Sequence, residues 1–155
     1  MPDLLAPNLR RFCTLSVEVG PPRMIGAGPL GQRRMVPITG GKVSGPEISG
    51  TILSGGADFQ TVGTEGVSEF RAQYVFETPS GALVEVIDAG FRHGPPEVMK
   101  RLAAGESVSP SDYYMRSTTR LLTGDPGLAW INRMIFVSTG ARLGSSVQID
   151  VFAVA

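Results

Sequence analysis

Apolar and polar residues alternate in short runs along most of the chain, and glycine- or proline-bearing breaks separate the runs. A two-residue period of this kind marks strands with one buried face. Runs rich in Val, Ile, Phe, Tyr and Thr occupy residues 12–19, 34–45, 47–54, 57–62, 68–78, 82–92, 111–118, 129–139 and 145–154. Their spacing predicts an all-β antiparallel fold, and about 8–10 strands are enough to close a sheet on itself as a single barrel. Gly40, Gly41, Gly50 and Gly90 fall inside the runs, where glycine supplies the bulges and sharp coiling that bend a sheet into a small barrel. One segment reads as helix, "PPEVMKRLAAG", near residues 95–104. Proline suits its first turn, Glu97 its positive end, Lys100 and Arg101 its later turns, and Gly105 its stop. Residues 1–10 and 21–34 lack the alternation and are read as loop-like.

The chain of 155 residues has the length of one domain with one core. Fourteen Lys and Arg balance 14 Asp and Glu, so no net field draws it to nucleic acid or an acidic membrane, and a small-molecule partner fits better. No run approaches the ~18 apolar residues of a membrane span, the first residues lack a secretory pattern, and a cytoplasmic protein is expected. The single cysteine, Cys13, sits in an alternating strand and reads as a small buried residue. His93 is the single histidine; without a second histidine or a Cys pair no metal site is expected, and no cofactor either. "GAGPLG" at 26–31 matches a dinucleotide-binding glycine pattern, but prolines surround it and no helix follows, so it is read as a loop.

Candidate chemistry comes from polar residues on faces that should be buried. In "SEFRAQYVFETPSGALVEVIDAG" Phe70, Ala72, Tyr74 and Phe76 share the core face. A turn on Pro79-Ser80 with an even number of loop residues pairs Tyr74 with Glu85 and Phe76 with Leu83, placing Glu85 inside and Arg71 opposite Asp88 outside. An odd loop exchanges the faces. A carboxylate so buried must be paired, hydrogen-bonded or protonated, and Glu85 is the first catalytic candidate. Asp58, after Gly55-Gly56, shares a face with Gln60; it is the second catalytic candidate if Phe59 points outward, and a turn acceptor if Phe59 points in. Candidate ligand contacts are Tyr74, Gln60, the same-face pair Tyr114 and Arg116, and Trp130, Asn132 and Arg133 from the run 129–139. Tyrosine and arginine together suit an aromatic or carboxylate ligand.

The blocks "PITGGKVSGPEISGTILSGGADFQ", "GALVEVIDAGFRHGPPEVMKRLAAGE", "YYMRST" and "WINRMIFVSTGAR" together resemble the family known as domain of unknown function 3237, or uncharacterised protein family 0311. The resemblance runs from Phe12 to Ala153. It implies a calycin-like or streptavidin-like antiparallel barrel, bacterial and cytoplasmic, forming a homo-oligomer (dimer or tetramer); it implies no settled reaction and no catalytic residues. Where the family often has tryptophan, this chain has Phe59, which lacks the indole donor. Three functional readings remain open: a barrel binding a small apolar or aromatic molecule with one polar or acidic group; a cofactor-independent isomerase, cyclase or lyase using a barrel carboxylate; and a filled scaffold for oligomerisation or interaction.

Overall fold

The chain forms ten strands: β1 (Leu9–Val19), β2 (Arg23–Gly28), β3 (Gly31–Ser44), β4 (Gly50–Ile52), β5 (Gly56–Val62), β6 (Ser68–Glu77), β7 (Leu83–His93), β8 (Tyr114–Thr123), β9 (Phe136–Leu143) and β10 (Ser146–Val154). One α-helix, α1 (Pro96–Ala103), lies between β7 and β8. The computed structural model describes all 155 residues. Neighbours along the sheet pair antiparallel, and β1 pairs with both β10 and β3. That second pairing closes the sheet into a barrel. β4 and β5 both bridge β3 and β6, and together they make one interrupted stave, so ten strands give an eight-position ring with β2 outside it. No helix is long and apolar enough to cross a membrane.

Three segments differ from expectation. Residues 21–34, expected as a loop, contain the hairpin of β2 and β3, with Gly28 paired to Gly31. The glycines of "GAGPLG" serve its turn and bulge, Gly26 and Gly31 having φ of +115° and +118°, a backbone that residues with a Cβ avoid. Residues 129–139 are not one strand. Pro126–Arg133 form a 3-10 helix and β9 begins only at Phe136. Pro126 suits a helical first turn, and the segment packs Leu128, Trp130 and Ile131 on the core, Ile131 completely buried. The third difference is the β6–β7 register. Thr78 and Ala82 face each other across a loop of three residues, Pro79 to Gly81, with Gly81 at φ +88°. A three-residue hairpin loop ending on a left-handed glycine is a common solution. Tyr74 consequently meets Val86, Phe76 meets Val84 and Ala72 meets Asp88. The inner face of β7 is therefore Val84, Val86, Asp88, Gly90 and Arg92, while Glu85 pairs with Val75 on the outside.

The interior divides along the barrel. Phe12, Phe76 and Phe136 are fully buried with Leu15, Ile52, Val84, Val86, Leu121 and Val151, and the Phe12 ring meets Phe136 at 5.2 Å and the edge of Trp130 at 5.3 Å. The Pro126–Arg133 helix packs on this apolar part. Towards the far ends of β6 and β7 the inward side chains turn polar.

Two glycines test the geometry. Gly81→Ala should cost about 1–2 kcal/mol, because it meets open space and only the left-handed backbone is strained. Gly56→Ala should cost more, since its Cβ would lie 2.5 Å from the Tyr74 Cβ and 2.6 Å from the Gln73 carbonyl. Urea unfolding of both variants measures the order; equal costs would contradict the close packing of β5 on β6.

Candidate functional site

The polar interior is built from alternate residues of five staves. β5 turns Asp58 and Gln60 inward, β6 Ser68 and Tyr74, β7 Asp88 and Arg92, β9 Arg142, and β3 pairs Arg34 beside Gln60. All of these except Arg34 line a cavity whose empty volume, open mouth included, is about 670 Å³, walled otherwise by Val17, Val36, Ile38, Phe70, Met115 and Ile149. Phe59, one residue from Asp58, is 43% exposed; the aromatic ring points out and the carboxylate in.

Asp58, Ala72 and Asp88 occupy one row of the ladder, so two carboxylates stand two strands apart with only a methyl group between them. Asp58 Oδ2 accepts from Gln60 Nε2 at 2.7 Å, and Gln60 Oε1 accepts from Arg34 Nε at 2.6 Å. Gln60 thus couples an acid to a cation without direct contact. Burial raises the Asp58 pKa above its usual value, against the pull of Gln60, Arg92 and Arg34. Asp88 is 2% exposed and accepts from Thr119 Oγ1 at 2.8 Å, with Ser138 Oγ 2.6 Å further along. Its carboxyl is pushed up to about 6, first by burial and also by the charge of Asp58, although Ser117 and Thr119 stabilise the anion. Burial also raises Tyr74, beside Asp88, Cys13 and Asp58.

Three buried side-chain atoms in the protein have no hydrogen-bond partner: Asp58 Oδ1, Tyr74 OH and Arg92 Nε. All three residues line this one cavity. Folded proteins leave few such groups unpaired, and their convergence marks the place where an external molecule can satisfy them. Oδ1 can accept, Arg92 Nε can donate, and the phenol can do either. No three His, Cys, Asp or Glu side chains gather where they could hold a metal ion.

The structure brings together Asp58, Gln60 and Tyr74 of the residues singled out from the sequence, and separates the others. Glu85 lies on the outer face and accepts from Gln73 Nε2, because the odd turn exchanges the faces of β7. Tyr114 and Arg116 also point outward, since Tyr113 and Met115 take the buried face of that segment; Tyr114 stacks on His93 at 4.7 Å, with the Arg116 guanidinium 5.4 Å from its ring. Trp130 packs at the apolar part of the interior. Asn132 satisfies both backbone groups of Thr123, accepting from its N–H at 2.8 Å and donating to its carbonyl at 2.9 Å. Arg133 is exposed. Asp88, Arg92, Arg34 and Arg142 were not expected. Gly81 was the available signal for the first two, because a glycine closing a three-residue turn carries both inward.

Residues 7–154 match the model of the family described as protein of unknown function, DUF3237. The chain belongs to the DUF3237 family. A relative within it, a UPF0311 protein of Rhodopseudomonas palustris (strain TIE-1), is 40% identical over 91% of this chain and 92% of its own. The crystal structure of a β-barrel-like protein from Acinetobacter baumannii, 34% identical, superposes with a TM-score of 0.88 over the full length of both chains. A more distant relative of this DUF3237 chain, a hydroalkoxylation enzyme of Penicillium herquei, is 28% identical over 54% of this chain and 55% of its own. The crystal structure of an enzyme from Penicillium herquei shares the fold at 19% identity, with a TM-score of 0.76 over 100% of this chain and 99% of that one.

The raised Asp88 pKa sets a pH dependence. The folded chain takes up this proton before the unfolded chain does, so the group's contribution to stability is greatest below the ordinary 3.8 and declines until about 6. Relative to the wild type, Asp88→Asn should therefore gain stability as pH rises from about 4 to 6, by on the order of 3 kcal/mol at most, and then level off. Chemical unfolding of both proteins across that range measures the difference; a pH-independent difference would place the Asp88 pKa near that of a solvated carboxylate.

Proposed function

We propose that this barrel is a cofactor-independent acid/base enzyme acting on a small, largely apolar molecule, with Asp58 exchanging the proton. The observation that carries this is the convergence of the three unpartnered buried groups on one cavity. Asp58 has a raised pKa and a free oxygen, the properties that let a carboxyl group give and take a proton nearer neutrality. Tyr74 OH and Arg92 Nε–H supply donors for an oxygen that gains negative charge during the reaction. The apolar walls suit the body of an aromatic or aliphatic substrate and strengthen those polar contacts by keeping water from them.

The likeness to a hydroalkoxylation enzyme supports a particular form of this chemistry. Hydroalkoxylation adds an O–H across a carbon–carbon multiple bond. Here Asp58 would take the hydroxyl proton, the oxygen would bond to one alkene carbon as the π bond breaks, and the proton would return to the other carbon. The sum is an isomerisation without redox change, needing no external reagent.

The test uses alkenyl phenols and naphthols incubated with the intact protein in D₂O, followed by mass spectrometry and NMR. Turnover should give a cyclic ether with one deuterium on the carbon beside the new C–O bond, and Asp58→Asn should slow it by about 100-fold or more. Undiminished turnover by that variant would overturn the role of Asp58. Stabilisation of the wild type by these compounds with no turnover of any would leave the cavity as a binding site for the same class of molecule, a reading its apolar walls also favour.

A further inference from the structure

We propose that Arg34, Arg92 and Arg142 form a receptor for a permanent anionic group on the ligand, so that the molecules this cavity takes are small organic anions with a largely apolar body. This rests on reading the cavity as a ligand site, and does not depend on proton transfer at Asp58. Arg92 on β7 and Arg142 on β9 line the cavity, and Arg34 on β3 stands opposite Gln60, which lines it too. Their convergence is not a reflection of overall charge, which is zero.

None of the three is ion-paired. The salt bridges of the protein join Arg10 to Glu47, Arg11 to Asp150 and Arg101 to Glu106, all outside the cavity. Arg34 gives its Nε–H to Gln60, Arg142 gives its Nε–H to the Gly144 carbonyl at 3.3 Å, and Arg92 Nε has no partner. Asp58 is the one carboxylate of the cavity that pulls on Arg34 and Arg92, while Arg142 opposes the charge of both. Desolvation and this mutual repulsion lower the pKa values of Arg34 and Arg92 from their usual range. With Asp58 and Asp88 both ionised, three cations against two carboxylates leave about one positive charge in a half-buried space, where neither water nor salt screens it fully.

Uncompensated charge in such a place is costly unless something of opposite sign arrives. Guanidinium groups match a carboxylate best, since their planar fork can donate two parallel hydrogen bonds. Each of the three has donors left: Arg34 and Arg142 use only Nε in side-chain bonds, and Arg92 uses none. The apolar part of such a ligand would lie against Val17, Val36, Ile38, Met115 and Ile149. Recognition is then of an anion with a hydrophobic body, neither half sufficing alone.

The experiment measures melting temperature and calorimetric affinity of the full chain at low ionic strength with benzoate, benzyl alcohol and inorganic phosphate. Benzoate should raise the melting temperature; benzyl alcohol, the same ring without charge, and phosphate, the charge without a ring, should do so far less. Arg92→Met and Arg142→Met should each weaken benzoate binding by about 30-fold or more. The ligand-free Arg92→Met protein should melt no lower than the wild type, because a repelled charge has been removed. That combination separates a receptor from a structural arginine, whose loss would lower the melting temperature and spare the ligand response. Asp58→Asn should bind benzoate more tightly, since a competing negative charge is gone, even as it loses any proton-transfer activity. Equal stabilisation by benzyl alcohol and benzoate, or wild-type affinity in both arginine variants, would overturn the receptor while leaving the acid/base reading intact. Phosphate matching benzoate would overturn the apolar half of the recognition.

Discussion

Closure of the sheet through β1 and β3 is the constraint on which the other features depend. In an open sheet a one-residue slip can be absorbed at an edge. In a ring each stave is held on both sides, and every side chain is assigned to inside or outside by the parity of its position. The three residues between Thr78 and Ala82 therefore do more than reverse the chain. They decide that Asp88 and Arg92 face the cavity and that Glu85 faces out.

The ring also allows two incompatible demands to be met at different heights. Phenylalanines and branched aliphatic residues fill one part of the interior at the close packing that stabilises small domains. The other part holds two aspartates, a tyrosine and three arginines, an arrangement that costs folding free energy through desolvation and like-charge repulsion. Such local conflict persists where function requires it and stability is supplied elsewhere. Gln60 moderates the conflict by linking Arg34 to Asp58, leaving the carboxyl group shielded from a direct ion pair that would hold its pKa down.

Much of the architecture was legible in the alternation of apolar residues, because hydrophobic periodicity is strongest where a strand buries one continuous apolar face, as Phe70, Ala72, Tyr74 and Phe76 do. The pattern weakens where the inner face is polar. Along β5 the inward residues include Gly56, Asp58 and Gln60 while Phe59 is exposed, so hydrophobicity alone favours the reverse orientation there. Asp88 and Arg92 were hidden by parity, Arg34 by a glycine-rich segment that resembled a loop. The Pro126–Arg133 helix was hidden because its apolar residues are dense enough to imitate alternation. Asn132 shows the same ambiguity at a single residue: its amide, suggestive of a ligand contact, substitutes for a strand in completing the hydrogen bonds of Thr123.

Cys13 gives the packed interior a chemical consequence. The thiol is 2% exposed beneath the ladder with β10, and burial, reinforced by Asp150, pushes its pKa up to about 12. Oxidants, alkylating agents and disulfides attack through the thiolate, a form that the closed barrel almost entirely withholds at neutral pH. The covalent state of the folded protein is thus indifferent to the redox poise around it. Only a molecule whose barrel has opened around Cys13 presents a reactive sulfur, so alkylation of the lone cysteine records how often the ring comes apart.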